Sequence, residues 1–201
     1  MQYLKQFARF IIEKVFDVFY KKKVAYYIAQ LCEGNTSVLD VGIGTGFVTL
    51  KIKEFNPKIH IIGLDIEDKT NGSVPVTIFD GKTIPFPDNS FDVVLCIDVL
   101  HHISDIGSLM KELSRVSKKY VIIKDHQRYS ILSYYFLHFS DYITNAPYDI
   151  NCAYNFYTKK QWLNEFHNAG LELIKEAKHL HYGYLINERY NPIYKLRKIT
   201  L

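Results

Sequence analysis

Short unbroken apolar runs alternate with amphipathic stretches through the middle of the chain. The runs are Ser37–Val41, His60–Asp65, Val74–Phe79, Phe91–Ile97 and Tyr120–Ile123. They are rich in Val, Ile and Leu and bounded by Gly, Asp or Asn, so they predict strands buried on both faces. Gly46–Phe55 places Val48, Ile52 and Phe55 at helical spacing, and Ser108–Val116 predicts a second helix. Apolar strands separated by helices predict a parallel sheet with helices on both faces, a doubly wound α/β domain with right-handed crossovers.

The flanks differ in pattern. Residues 2–20 predict a helix with Gln2, Lys5, Gln6, Arg9, Glu13 and Asp17 on one arc. Leu4, Phe7, Ala8, Phe10, Ile11, Val15, Val18 and Phe19 lie opposite, while Lys14 and Phe16 fall on the wrong sides. With a second run, Val24–Leu31, residues 1–31 are expected to form a helical cap. Past the fifth strand, Tyr129–Tyr157 holds ten Tyr or Phe among 29 residues, against 15% aromatics in the whole chain. This insert (129–157) is expected to be a lid over a substrate pocket or a satellite core on the sheet edge. In the tail, 160–190, a helix Lys160–Ala169 stops at Gly170. Leu171–Lys178 and Tyr182–Arg189 then predict an antiparallel edge, giving a mostly parallel seven-stranded sheet in a single domain.

Composition narrows the class. With 201 residues, 48% hydrophobic and 23% charged, the chain suits one globular domain and excludes disorder. No run reaches the roughly 18 uncharged apolar residues of a membrane span. Lys5, Arg9, Glu13, Lys14 and Asp17 interrupt any signal-peptide core, so no signal peptide is expected. Three widely spaced cysteines, Cys32, Cys96 and Cys152, argue against a disulfide framework or a thiolate metal site and for a cytoplasmic setting.

The net charge of +4 is unevenly spread. Residues 1–30 carry six Lys/Arg and two Asp/Glu, and residues 178–201 carry five and one, while the stretch between is acidic. A nucleic-acid binder spreads basic residues over its recognition elements, so no nucleic-acid partner is expected. Basic ends suit peripheral contact of residues 1–23 with an anionic membrane surface, or merely solvated helix faces.

The candidate chemistry begins at the first strand: Val38-Leu39-Asp40-Val41-Gly42-Ile43-Gly44-Thr45-Gly46. Glycines at the carboxyl end of a strand let a ligand approach backbone at a helix N-terminus. The spacing is G-x-G-x-G, and Phe47 stands where a dinucleotide fingerprint has its third glycine. Asp40 would also repel a pyrophosphate, which disfavours a nicotinamide enzyme. Asp65 ends the second strand, 23 residues after Gly42, placed to accept hydrogen bonds from ribose hydroxyls. Asp80, before Gly81, ends the third strand and suits an exocyclic amine or a plain turn.

With VLDVGIGTG (38–46), GLDI (63–66) and FDGKTIPFPDNSFDVVLCIDVLHHISD (79–105), the sequence resembles the class I S-adenosylmethionine-dependent methyltransferases, in particular the small-molecule group with the ubiquinone-biosynthesis-like enzymes. The resemblance covers residues 36–125 strongly. It implies S-adenosylmethionine as cofactor and S-adenosylhomocysteine as product. Asp40, Gly42, Ile43, Gly44 and Gly46 would hold the methionine end, Asp65 the ribose, Ile66 the adenine ring, and Asp80 with Gly81 the adenine amine. Backbone at Cys96, Ile97 and Asp98 would face the amino-acid portion.

A sulfonium-borne methyl needs alignment and exclusion of water, plus a base only where the acceptor loses a proton. Candidate bases are His101 and His102 after strand four and Asp125 and His126 after strand five. His179 and His181 share a strand face but lack a third ligand, so no metal is expected. Cys96-Ile97-Asp98-Val99 stands where nucleobase amino-methyltransferases carry Asn/Asp-Pro-Pro-aromatic. The expectation is therefore a small, apolar or lipid-like acceptor, with Tyr154 and Asn155 offering polar groups. A protein acceptor and a non-catalytic cofactor-binding module are the alternatives.

Overall fold

The computed structural model describes residues 20–145, 153–177 and 190–199. The expected helix 2–20 up to residue 19, the expected strand Tyr182–Arg189, and His179 and His181 lie outside the described residues.

Seven strands form one sheet: β1 (Ser37–Val41), β2 (His60–Asp65), β3 (Val76–Ile78), β4 (Phe91–Ile97), β5 (Ser117–Lys124), β8 (Leu171–Ala177) and β9 (Ile193–Lys198). Their spatial order is β3-β2-β1-β4-β5-β9-β8. β1 to β5 run parallel, and β9 is antiparallel to both β5 and β8. The order reverses between β1 and β4, the switch point where open α/β sheets leave a crevice outside the strands' carboxyl ends. A separate parallel pair, β6 (Gln127–Arg128) and β7 (Tyr157–Thr158), closes the base of the insert.

Alternation along the strands separates two cores. Leu39, Val41, Val94, Val121 and Ile123 pack under α3 (Ile106–Val116) and α5 (Lys159–Asn168). Val38, Val93, Leu95 and Ile122 pack under α1 (Lys22–Leu31) and α2 (Phe47–Phe55). Helices on both faces complete the doubly wound fold expected from the pattern.

Element ends follow local chemistry. β3 starts after Pro75, which has no N–H for the ladder. α3 starts at Ile106 because Asp105 caps it, accepting from the Ser108 N–H at 3.0 Å. α5 opens on a capping box formed by Thr158 and Gln161. The antiparallel edge of the tail is present as expected: Leu171–Ala177 is the outer strand, and Ile193–Lys198 pairs with it and lies between it and β5.

The insert's described part is dominated by α4 (Ile131–Asn145), and its polarity is inverted. Ser133, Leu137 and Asp141, four residues apart, form its buried stripe. Leu132, Tyr135, Phe136, Phe139 and Tyr142 face outward, 42% to 78% exposed. Among the described residues, no helix is long and apolar enough to cross a membrane.

Candidate active site

The site is assembled where β1, β2, β4 and β5 end. The chain leaves β1 through Gly42, Gly44 and Gly46, all at positive φ. They serve different ends. A Cβ on Gly42 would fall 2.2 Å from Val99 Cγ2, so this glycine admits the close approach of the chain beyond β4. A Cβ on Gly44 would meet nothing within 4 Å, so Gly44 faces open space. Gly46 caps α2 in the left-handed conformation. Ile43 packs over Gly63 of β2, where a Cβ would come within 2.5 Å of it.

Two carboxylates brace this loop. Asp65, ending β2, accepts the Gly44 N–H at 2.8 Å on Oδ2 and the Ile66 N–H at 2.7 Å on Oδ1. Asp40 is buried and accepts from the Thr49 hydroxyl at the start of α2. Burial pushes its carboxyl up to about 6, with a smaller push from Asp65 and an opposing pull from Thr49.

Asp80 is fully exposed. Its Oδ1 accepts the N–H groups of Lys82 and Thr83, both at 2.8 Å, and the Thr83 and Lys82 bonds hold its carboxyl below the ordinary range. It closes a turn in which Gly81 takes positive φ beneath Ile66. Cys96 and Ile97 end β4, where only their backbone was expected to face a ligand. The Cys96 side chain is fully buried in the core, and burial raises the thiol well above its ordinary value. Ile97 is half-buried against the opposite core. Only their backbone belongs to the carboxyl edge. Asp98 follows at φ 56° and pairs with Lys124, whose ammonium is buried beside the Tyr20 ring. Burial alone would lower Lys124; Asp98 overrides it and raises it.

The four expected proton-transfer residues converge. Asp125, at the end of β5, takes the Leu100 N–H at 2.8 Å on Oδ2. Its Oδ1 takes the His126 N–H at 2.6 Å and faces His101 Nδ1 at 2.7 Å. Burial would raise Asp125, but His101 and His126 hold it well below the carboxylate range. Burial would depress His101; Asp125 first, and then Asp141, drive it up to about 10. His102 and His126 are both lowered, by burial and then by the charge on His101. Asp141, from the buried stripe of α4, reaches His101 Nε2 at 3.4 Å. The sequence reading missed it; the signal was a lone carboxylate at helical spacing from Ser133 and Leu137.

Phe156 stacks beside this cluster, 5.4 Å from the His126 ring and 5.9 Å from His101. Asn155 donates to the carbonyls of His101 (3.2 Å, backbone) and Ile103 (2.7 Å, side chain). Both residues line a cleft of 340 Å³ with Tyr134, Tyr154, Tyr157 and Arg128. A larger cleft of 690 Å³ lies at the opposite, amino edge of the sheet, between Gly34–Thr36 and Asn56–Lys58, and touches none of these residues.

Residues 39–123 match the family described as a methyltransferase domain. The chain is 31% identical over 101 residues to the uncharacterized methyltransferase YcgJ of Bacillus subtilis, covering 44% of this chain and 39% of that protein. It is 32% identical over 90 residues to a tRNA U34 carboxymethyltransferase of Nautilia profundicola, covering 39% and 30%. The chain thus spans well under half the length of these relatives. A SAM-dependent methyltransferase of Aquifex aeolicus superposes with TM-score 0.62 at 20% identity, covering 92% of each chain. Residues 39–123 thus match a methyltransferase domain, and the strand order and the glycine loop at the switch point agree with the resemblance to the class I S-adenosylmethionine-dependent methyltransferases.

Proposed function

We propose that the chain transfers the methyl group of S-adenosylmethionine to a small, apolar, lipid-like acceptor taken from a membrane surface. The inverted polarity of α4 carries this reading. The helix that lines the aromatic cleft through Ile131 and Tyr134 also turns Leu132, Tyr135, Phe136, Phe139 and Tyr142 outward. Exposed apolar surface of that kind marks a contact with lipid or a partner, and the basic ends of the chain favour an anionic bilayer. Residues 1–23 would join α4 in that contact, as a peripheral attachment of a cytoplasmic protein.

The residues at the carboxyl edge fit the cofactor. Gly44 leaves open space, and each Asp65 oxygen takes one backbone N–H and keeps a lone pair for a ribose hydroxyl. Exposed Ile66 and Ile78 offer an apolar platform for a purine. We assign Gly44, Asp65 and Ile66 to direct contact, with Asp40, Gly42, Ile43 and Gly46 shaping the loop. Asp80, Gly81 and the Cys96–Ile97 backbone form the rim. The bound cofactor supplies an activated methyl on a sulfonium. The chain's own work is to align the acceptor and exclude water. His126, packed on Phe156 of the cleft, holds the acceptor's polar atom, and Asp125 and His101 position it.

The test offers the protein methyl-labelled cofactor with a total lipid extract, with tRNA and with a protein lysate, separately. Label in the lipid fraction, with co-sedimentation on phosphatidylglycerol vesicles in preference to neutral ones, supports the proposal. Label only in tRNA, the acceptor named for one relative, or only in protein overturns the acceptor class. Binding of S-adenosylhomocysteine with no label anywhere makes the chain a non-catalytic module.

A further inference from the structure

The carboxyl ends of β4 and β5 meet α4 at a buried cluster that methyl transfer leaves partly unused. We propose that His101, His102 and Asp141 form a binding site for one divalent transition-metal cation of the zinc type, with Asp125 as the outer partner of His101. A ring nitrogen from each histidine and a carboxylate oxygen of Asp141 lie within 4.8 Å of one another. His101 and Asp141 are 2% and 4% exposed, so this is no surface acidic patch.

Distances and partners favour an ion over a plain hydrogen bond. The 3.4 Å between His101 Nε2 and Asp141 Oδ1 is long for a charge-assisted bond. It matches the edge of a tetrahedron built on bonds of about 2.1 Å. On the other side of the ring, the 2.7 Å contact of Nδ1 with Asp125 fixes the tautomer and aims Nε2 at Asp141. Metal-bound histidines commonly have such a carboxylate behind them. The Nδ1 of His102 is buried and has no hydrogen-bond partner, a state that folded proteins rarely leave uncompensated.

Charge and donor type agree. A carboxylate stands at each ring nitrogen of His101, Asp125 at 2.7 Å from Nδ1 and Asp141 at 3.4 Å from Nε2, an acidic surrounding that suits a divalent cation. Two imidazoles and one carboxylate suit zinc, cobalt or ferrous iron; magnesium and calcium prefer oxygen alone. The neighbouring triple His101, Asp125, His126 is also compact, but Asp125 already accepts from Leu100, His126 and His101. The ion would therefore sit on the Asp141 side, tying α4 to the strand ends.

The experiment strips the full chain with EDTA and titrates it with Co²⁺, then with Zn²⁺ in competition. One Co²⁺ per chain should bind with the visible absorption of a four-coordinate site, yield to Zn²⁺, and raise the melting temperature. His102→Ala and Asp141→Asn should abolish that spectrum while keeping the thermal shift with S-adenosylhomocysteine, which certifies the fold. Asp125→Asn should weaken binding by about 10- to 100-fold. Should a variant not fold, nitrogen NMR of the wild-type chain decides: Zn²⁺ must move the ring resonances of two of the eight histidines. No cobalt spectrum, a spectrum unchanged in both variants, or one lost instead in His179→Gln or His181→Gln would each overturn the site.

Discussion

The backbone N–H of Gly44 donates to Asp65 Oδ2 at 2.8 Å, locking the glycine loop after β1 to the end of β2. One carboxylate thus shapes the loop and faces the space that the loop leaves open. A hydrogen bond to a charged group contributes about 1.5–3 kcal/mol. Asp65→Ala should therefore weaken S-adenosylhomocysteine by about 10- to 100-fold in calorimetric titration. Asp65→Asn keeps an acceptor for Gly44 but swaps the other oxygen for a donor, and should fall between. Equal affinity in Asp65→Ala and wild type would refute the assignment.

Gly42 and Gly44 look equivalent in the motif and should respond differently to alanine. At Gly42 the new Cβ meets Val99 at 2.2 Å and the residue sits at φ 76°. Overpacking and left-handed strain together should cost about 2–4 kcal/mol in urea unfolding. Gly44→Ala meets nothing within 4 Å, so its stability loss should stay near 1 kcal/mol, from its positive φ alone. Its damage should appear in cofactor affinity, because the methyl enters the ligand's space.

Asp40 sets a pH dependence with a definite sign. Its folded value is raised from 3.8 to about 6, so between those values the folded chain holds a proton that the unfolded chain has released. Stability contributed by this group is present below pH 4 and declines as pH rises to 6, by up to about 3 kcal/mol. Asp40→Asn cannot titrate. The difference in unfolding free energy between wild type and variant, measured from pH 4 to 7, should fall through that window and then level off. A flat difference would mean that Asp40 titrates normally.

Much of this architecture is legible in the sequence because it rests on local pattern. The parallel strands are built on short runs of Val, Ile and Leu, the two cores follow from alternation within them, and the glycine loop is contiguous. What escaped depends on partners distant in sequence. β9 reads as Ile-Tyr-Lys-Leu-Arg-Lys, too charged for a strand between two others. It fits because its long side chains run outward along their stems. Lys195 reaches the Leu31 carbonyl at 2.7 Å and lies over the Tyr120 ring, and Arg197 pairs with Glu172. Asp141 escaped similarly, since only the fold brings α4 against His101.

The outward face of α4 yields the last prediction. Exposed Phe139 (64%) and Leu132 (78%) contribute little to folding, since most of each side chain is already in water. Phe139→Ser with Leu132→Ser should change unfolding free energy by less than about 0.5 kcal/mol, within the range of ordinary surface substitutions. Moving two large side chains into a bilayer is favourable by about 1.5–3 kcal/mol each. The double variant should therefore lose at least tenfold in partitioning onto phosphatidylglycerol vesicles, and in turnover of a vesicle-borne acceptor, while binding S-adenosylhomocysteine as before. Unchanged partitioning would detach α4 from the membrane. A large loss of stability would instead mean that the stripe is covered within the chain itself.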